Sequence, residues 1–548
     1  MRAALLASVF CGAVLASFSP VQASATVPQL PGNEAPAQSS SDTAAPAADP
    51  APAEVSKPDA GVTDPAISPP ISIDEAQRRQ AVQKLLADSR VRAADRKDEH
   101  AAIDAFYKQR DYQPVWTTAG TPTTQAAAAS AHLKEAAKSG LDPSDYPVPE
   151  FSEFLSAEEG AAADLKLTAS LLTFARHASS GRVSYTRVSG AILYPAPALD
   201  PAALLAQIGA SKDIEATVTA FEPPQPGYKA LKAQLAKELA RPAPKHGKIS
   251  RADVIIANME RWRWLPRDLG AHYVIVNIPQ YALQLVDRGK PVWTTKIVVG
   301  KPGDMATPLL SETMKYLTVN PIWNVPPSII RNEYLPALER DSGALERIGL
   351  KIGRNHDGSV RVYQPPGPKN ALGRIRFNFP NPFLVYQHDT PNKNLFAQDK
   401  RALSHGCMRV QNPEQYAEAL LSVSQPQDHM TAERIRKLYG DEERAISLKH
   451  PIPVHVTYQT ATVDEAGNLV TRDDIYGLDS AVIKLMRGPE RAVADRAIPR
   501  NYESSSKPVI AKLPRSYVER SNEQGEPRRQ IANQSYPAVF FDRAVGTW

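Results

Sequence analysis

Ser404-His405-Gly406-Cys407-Met408-Arg409-Val410 is the stretch on which the reading of this chain turns. A thiol attacks as its thiolate, and a neighbouring imidazole or guanidinium favours that form. His405 and Arg409 flank Cys407 and bring both. Gly406 permits a tight turn just before the thiol. Such a turn can aim consecutive backbone N–H groups at one point, which an acyl-transfer oxyanion requires. Ser404 opens the turn. The following Asn412-Pro413-Glu414-Gln415 reads as N-cap, N1 proline and capping-box partner of a helix running through Leu421.

Upstream, Val385-Tyr386-Gln387-His388-Asp389-Thr390-Pro391 places a second histidine at the end of an apolar strand. A strand end holds a side chain firmly while leaving it accessible. On these residues either His388 or His405 can serve as general base. A metal centre fits less well, because one Cys and two His have no further Cys at ligand spacing. No glycine-rich phosphate loop and no organised nucleic-acid motif is present.

The chain has 548 residues and two cysteines, Cys11 and Cys407. Arg2, the apolar run Ala3–Phe18 and the small residues around Ala23 and Ala25 read as a secretory signal peptide over residues 1–25. Cys11 then leaves with the signal. The exported chain retains one thiol, which cannot form an intramolecular bridge in a compartment that permits them. Residues 26–70 are Pro, Ala, Ser and Asp without aromatics and read as a disordered linker. The net charge of +5 suits an anionic wall polymer or membrane surface and does not call for nucleic acid.

The fold class expected is α+β in several domains. Helical patterns over 71–110, 125–139, 161–178 and 228–239 make residues 71–245 a mostly helical domain. Gly140 and Gly181 are the expected helix stops. From residue 272 short β-rich runs take over, at Tyr273–Ile278, Tyr281–Val286, Val292–Val299, Met314–Val319, Val360–Tyr363, Arg374–Phe379, Phe383–Gln387 and Val454–Tyr458. They predict an antiparallel sandwich or barrel-like sheet over 250–478. Residues 320–360 interrupt that rhythm and read as a lid or as a packed excursion. Residues 479–548 read as a basic, disordered tail.

His388, a gap, and Ser404-His405-Gly406-Cys407 resemble the signature of the YkuD-type L,D-transpeptidase catalytic domain. Pro366–Gly373 with Arg376-Phe377, and His388–Pro391, are similar to the large Gram-negative, scaffold-bearing (YcbB-like) subgroup. So are Ala102–Tyr107, Pro114–Trp116, Gly140–Tyr146, His177–Val183 and Asn258–Pro266, giving coverage of about 100–478. Residues 320–360 occupy the place of that subgroup's capping subdomain. Only about Ala240–Ser250 stands where the subgroup usually carries a peptidoglycan-binding domain, and the tail is foreign to the pattern.

The resemblance implies a periplasmic enzyme acting on peptidoglycan stem peptides. Cys407 attacks the meso-diaminopimelate carbonyl of a tetrapeptide donor and releases D-Ala. The thioester then passes to a diaminopimelate amine, giving a 3-3 cross-link. His388 takes the base role and His405 shapes the site. Gly406 and Cys407 N–H groups are candidates for the oxyanion hole, and Arg409 orients the turn or meets a substrate carboxylate. No cofactor or metal is implied. Association with a membrane or an outer-membrane protein is compatible with the charge. The same thioester serves L,D-carboxypeptidase, exchange and protein-to-peptidoglycan attachment reactions. A non-catalytic wall-binding scaffold is the reading from another class.

Overall fold

The computed structural model describes residues 73–88, 96–151, 156–195, 199–241, 249–354 and 359–500. The expected signal (1–25) and linker (26–70) lie outside them, as do residues 501–548 of the expected tail.

The helical region comprises α1 (Ile73–Ala87), α2 (Lys97–Gln109), α3 (Thr124–Lys134), α4 (Ala157–Ser180), α5 (Pro201–Gly209), α6 (Ile214–Thr219) and α7 (Pro226–Leu239). α4 is the axis of the group. Its start is fixed by a capping box between Ser156 and Glu159. Leu165, Leu167, Leu171, Leu172 and Phe174 are buried in the shared core, each contributing about 1.5–3 kcal/mol by leaving water. Buried Asp164 accepts from Val115 N (2.8 Å), Trp116 N (2.7 Å) and Tyr107 Oη (2.6 Å), which satisfies the carboxylate inside this core.

α8 (Arg251–Trp264) joins the helices to the sheet. Gly181, at φ +98°, ends α4, and a Cβ there would lie 2.7 Å from Glu260 Oε1. The glycine lets α8 approach closely. Glu260 accepts from Val183 N (2.5 Å) and pairs with Arg263 (2.9 Å), both side chains fully buried. Arg263 also donates to Tyr228 Oη at 2.9 Å. Trp264 donates to Val183 O (2.9 Å) while its ring enters the core of the sheet.

The strands are β1 (His272–Asn277), β2 (Ala282–Asp287), β3 (Lys290–Gly300), β4 (Leu309–Val319), β5 (Trp323–Asn324), β6 (Lys351–Arg354), β7 (Val360–Gln364), β8 (Ile375–Asn378), β9 (Gln387–His388), β10 (Ala402–Ser404), β11 (Met408–Val410) and β12 (Arg444–Thr457). The path β8-β9-β11-β3-β2-β1-β12-β4 closes on itself because β8 also pairs β4. This is a barrel, and it is mixed rather than the antiparallel system expected. β9 runs parallel to β11, β12 to β1, and β10 to β3. The parallel pairs arise where long excursions return the chain to the sheet in its original direction. The scaffold strand Ile192–Leu193 adds in parallel to β4.

Three expectations need correction. Phe383–Gln387 forms a strand only at its end, β9. The side chain of Asn381 braces the preceding loop, bonding Phe379 O and Val385 O at 2.7 Å each, and Leu384 takes φ +56°. The helix α10 (Pro413–Ser424), which follows α9 (Leu335–Arg340), has Asn412 at its N-cap and proline at N1 but no side-chain cap bond. Glu414, at N2, accepts from Tyr439 Oη at 2.8 Å. Residues 479–500, expected as part of a disordered tail, are folded. They form most of α11 (Leu478–Arg487), and Leu485 and Ala494 pack on Val183. Arg491 pairs with Asp142 (2.9 Å) and Asp145 (2.8 Å) of the scaffold. Asp495 pairs with Arg96 (3.1 Å) and Arg176 (2.5 Å). Apolar positions of α11 and these charges, sparse in sequence, find partners only in the tertiary fold.

The 320–360 insertion is a packed unit. β5, β7 and β6 form a three-stranded sheet. Val325, Ile330, Leu338, Leu345 and Ile352 lie in a core separate from that of the barrel. Asn320 and Asn370 pin its two ends, Asn320 to Leu438 O (2.9 Å) and Asn370 to Pro321 O (3.0 Å). Among the described residues no helix is long and apolar enough to cross a membrane.

Candidate active site

Three adjoining strands carry the site. Arg376 on β8 pairs with His388 on β9, and His388 pairs with Arg409 on β11. Side chains alternate along each strand. Phe377, Gln387 and Met408 are buried towards the core. The row Arg376–His388–Arg409 therefore stands on the other face, and Cys407 leads directly into β11 there.

The turn before Cys407 is held from both sides. Ser404 Oγ donates to Cys407 O (2.6 Å) and accepts from Gly406 N (3.2 Å). Thr307 Oγ1 donates to Gly406 O at 2.7 Å and accepts from Gly300 N at 2.8 Å. Gly406 has φ +115°, the left-handed side that a side chain rarely adopts. The two carbonyls are thus tied back. Among the described residues nothing accepts the Cys407 N–H. This revises the pair of oxyanion donors expected from sequence: the Gly406 N–H is already engaged by Ser404, and Cys407 offers the unspent one.

Cys407 is half-buried and free. Burial pushes its thiol up to about 11, while hydrogen bonding from the backbone and side chain of Tyr386, and the charges of Arg409 and Arg376, pull the other way. His388 is buried and depressed to about 3. Burial is again the main cause, Arg409 and Arg376 add to it, and the carbonyls of Asp389 and Leu372 oppose it. Nδ1 of His388 faces Asp389 O at 2.5 Å. No hydrogen bond joins His388 to Cys407. Both groups, on adjoining strands, rest uncharged at neutral pH.

His405 lies elsewhere. It is exposed, and its Nε2 meets Glu333 Oε1 at 2.9 Å. Glu333 belongs to the π-helical turn Ile330–Tyr334 of the insertion, a geometry often found at functional sites. His405 thus links the Cys407 turn to the insertion.

Sequence reasoning passed over four site residues. Tyr386 stands two residues before His388 on the same face, with ring centroids 5.8 Å apart. Arg376 lies over the Tyr386 ring at 5.6 Å. The period-two spacing Tyr386/His388, and a lone arginine inside the apolar Ile375-Arg376-Phe377, were the available signals. Thr307 and Glu333 reach the site from distant loops and left no local signal. Asp389 accepts from Thr390 N (2.6 Å) and Arg374 N (2.8 Å) and pairs with Lys393, fixing the chain just after His388.

With a thiol and an imidazole on neighbouring barrel strands, comparison with known proteins defines the class. Residues 271–438 match the family model of the L,D-transpeptidase catalytic domain (YkuD), and residues 101–235 match that of the Scaffold domain. The chain carries a YkuD-type L,D-transpeptidase catalytic domain behind a helical scaffold domain. Among individual proteins, a Haemophilus influenzae protein named "Putative L,D-transpeptidase" is 31% identical over 225 residues, 38% of this chain and 45% of that protein. The chain thus spans under half the length of that relative. Solved structures similar to parts of it include an L,D-transpeptidase from Mycobacterium smegmatis (14% identity, 34% of this chain and 58% of that one, TM-score 0.18). Another is L,D-transpeptidase 3 from Mycobacterium tuberculosis with a faropenem-derived adduct (13% identity, 34% and 60%, TM-score 0.18).

Proposed function

We propose that this protein is a periplasmic, cysteine-dependent peptidoglycan L,D-transpeptidase that forms 3-3 cross-links. The observation that carries the reading is that β9, which bears His388, pairs with β11, into which Cys407 leads, within the matched catalytic domain.

In the first step Cys407 Sγ bonds to the diaminopimelate carbonyl carbon of a tetrapeptide stem. The thiol proton passes to His388, and the oxyanion is met by the Cys407 N–H. The C–N bond then breaks, and His388 returns the proton to the departing D-Ala amine. In the second step a diaminopimelate side-chain amine of another stem attacks the thioester. The C–N bond forms, the C–S bond breaks, and the amine's proton restores the thiol by way of His388. With the thiol near 11 and the imidazole near 3, proton transfer is coupled to attack rather than completed beforehand. A preformed thiolate–imidazolium pair is not needed. No metal or cofactor enters this scheme.

Incubation with disaccharide-tetrapeptide, analysed by mass spectrometry, tests the reading. The expected product is a dimer that has lost one D-Ala. Tripeptide alone would point to hydrolysis of the same thioester, and D-amino-acid-exchanged stems to exchange. An unmodified Cys407 with no product would contradict the enzyme reading. In cells a Cys407→Ala variant is expected to lose function; a variant that keeps it would favour a wall-binding scaffold.

A further inference from the structure

Arg376 and Arg409 are two guanidinium groups without a carboxylate partner among the described residues. The Nε of each is buried with no hydrogen-bond acceptor. Both are only half-buried as residues, so part of each is open to solvent. A buried N–H left without an acceptor destabilises the fold. The protein carries that cost twice, on either side of one imidazole. Arg376 and Arg409 lie one strand away from His388 in opposite directions, so their backbones are roughly 10 Å apart. Side chains of arginine length can close on one small anion from that distance.

The position of His388 says which anion. His388 hands its proton to the leaving amine, so its side of Cys407 is the leaving-group side. The departing residue of a tetrapeptide carries a free carboxylate on the carbon next to that amine. Other stem carboxylates belong to the acyl part, which stays on the sulfur. Arg376 also rests on the Tyr386 ring, which limits its sweep and pre-orders its fork.

Resting on the transpeptidase reading above, we propose that Arg376 and Arg409 form the receptor for the terminal carboxylate of the donor peptide. They thereby select donors in which the attacked carbonyl lies one residue from a free chain end. A second consequence follows from charge. Both arginines disfavour protonation of His388, and a bound carboxylate offsets them. The correct donor thus raises the proton affinity of the base as it docks.

The test measures kcat/KM for thioester formation on the full chain, by intact mass, with two donors. One is the disaccharide-tetrapeptide and the other is the same molecule with its terminal carboxyl converted to carboxamide. Wild type is expected to prefer the carboxylate donor by about 10- to 100-fold, as a charge-assisted bond implies. Arg376→Gln and Arg409→Gln are expected to lose activity on the carboxylate donor, and much less on the carboxamide. Lys at either position should restore part of the preference. Equal use of the two donors by wild type overturns this inference and leaves the transpeptidase reading intact. Equal losses on both donors in the Gln variants also overturn it, since they mark a role in the fold or at the thiol. Acylation by neither donor overturns both.

Discussion

At Cys407 two opposing influences act on one sulfur. Burial raises the thiol to about 11 despite Tyr386, Arg409 and Arg376. In the free protein, alkylation by iodoacetamide should therefore keep accelerating as pH rises through 9 and beyond, because only the thiolate reacts. A plateau near pH 6–7 would show a preformed thiolate and contradict the neutral pair. Tyr386→Phe removes a hydrogen bond to the sulfur, so its alkylation curve should move to higher pH. The two histidines should separate in acyl transfer. His388→Gln is expected to lose about 10²- to 10⁴-fold, the usual worth of a general base, and His405→Gln less than tenfold. A larger loss at His405 would reverse their roles. The sequence showed the thiol, the turn and both histidines, because a glycine turn before a lone cysteine is a local pattern. Arg376 and Tyr386 were not singled out, because strand pairing and not chain proximity brings them to the sulfur.

Among the elements, the insertion is the one most directly joined to the site. It has its own core, and its Glu333 reaches His405 on the Cys407 turn at 2.9 Å. Both partners are over a third exposed, so the pair contributes well under 1 kcal/mol to stability. Glu333→Gln should leave the melting temperature within about 1–2 °C. It should raise the alkylation rate of Cys407 two- to threefold by loosening the tie between the insertion and the Cys407 turn. An unchanged rate would show that the contact does not restrain access. The barrel strands were legible from alternation and turn residues, since β1 and β2 meet around a short connection. Closure of the barrel was not, because β8 to β4 and β9 to β11 join segments far apart in sequence. The loop before β9 was misread as strand because its apolar run, Phe383 to Val385, meets the pattern of one while Asn381 ties it into a turn.

For the whole molecule, the segment to residue 500 fastens the catalytic domain to the scaffold through Asp495 and Arg491. Asp495→Asn removes a partner shared by Arg96 and Arg176. It should cost about 2–4 kcal/mol in denaturant unfolding, as loss of one half of a largely buried pair does; a change below 0.5 kcal/mol would mean the segment is not a clamp. Buried His177, which shares a hydrogen bond with Tyr146 Oη at 2.9 Å, is depressed from 6.5 to about 3 by burial. It stays neutral when folded and takes a proton when unfolded below pH 6.5, so its contribution is present above that pH and is lost as pH falls towards 3. His177→Gln should therefore lose about 2 kcal/mol less than wild type between pH 7 and pH 5. An equal or larger loss would contradict this. The clamp escaped the sequence reading because scattered arginines and prolines resemble a tail until their partners, more than three hundred residues away, are known. Acyl transfer through one sulfur is the chemistry proposed for this chain. Intact-mass measurement after brief exposure to disaccharide-tetrapeptide tests that most directly: the prediction is an adduct on Cys407 equal to the donor less D-Ala, absent from Cys407→Ala, whereas no adduct, or the same adduct on the alanine variant, would contradict it.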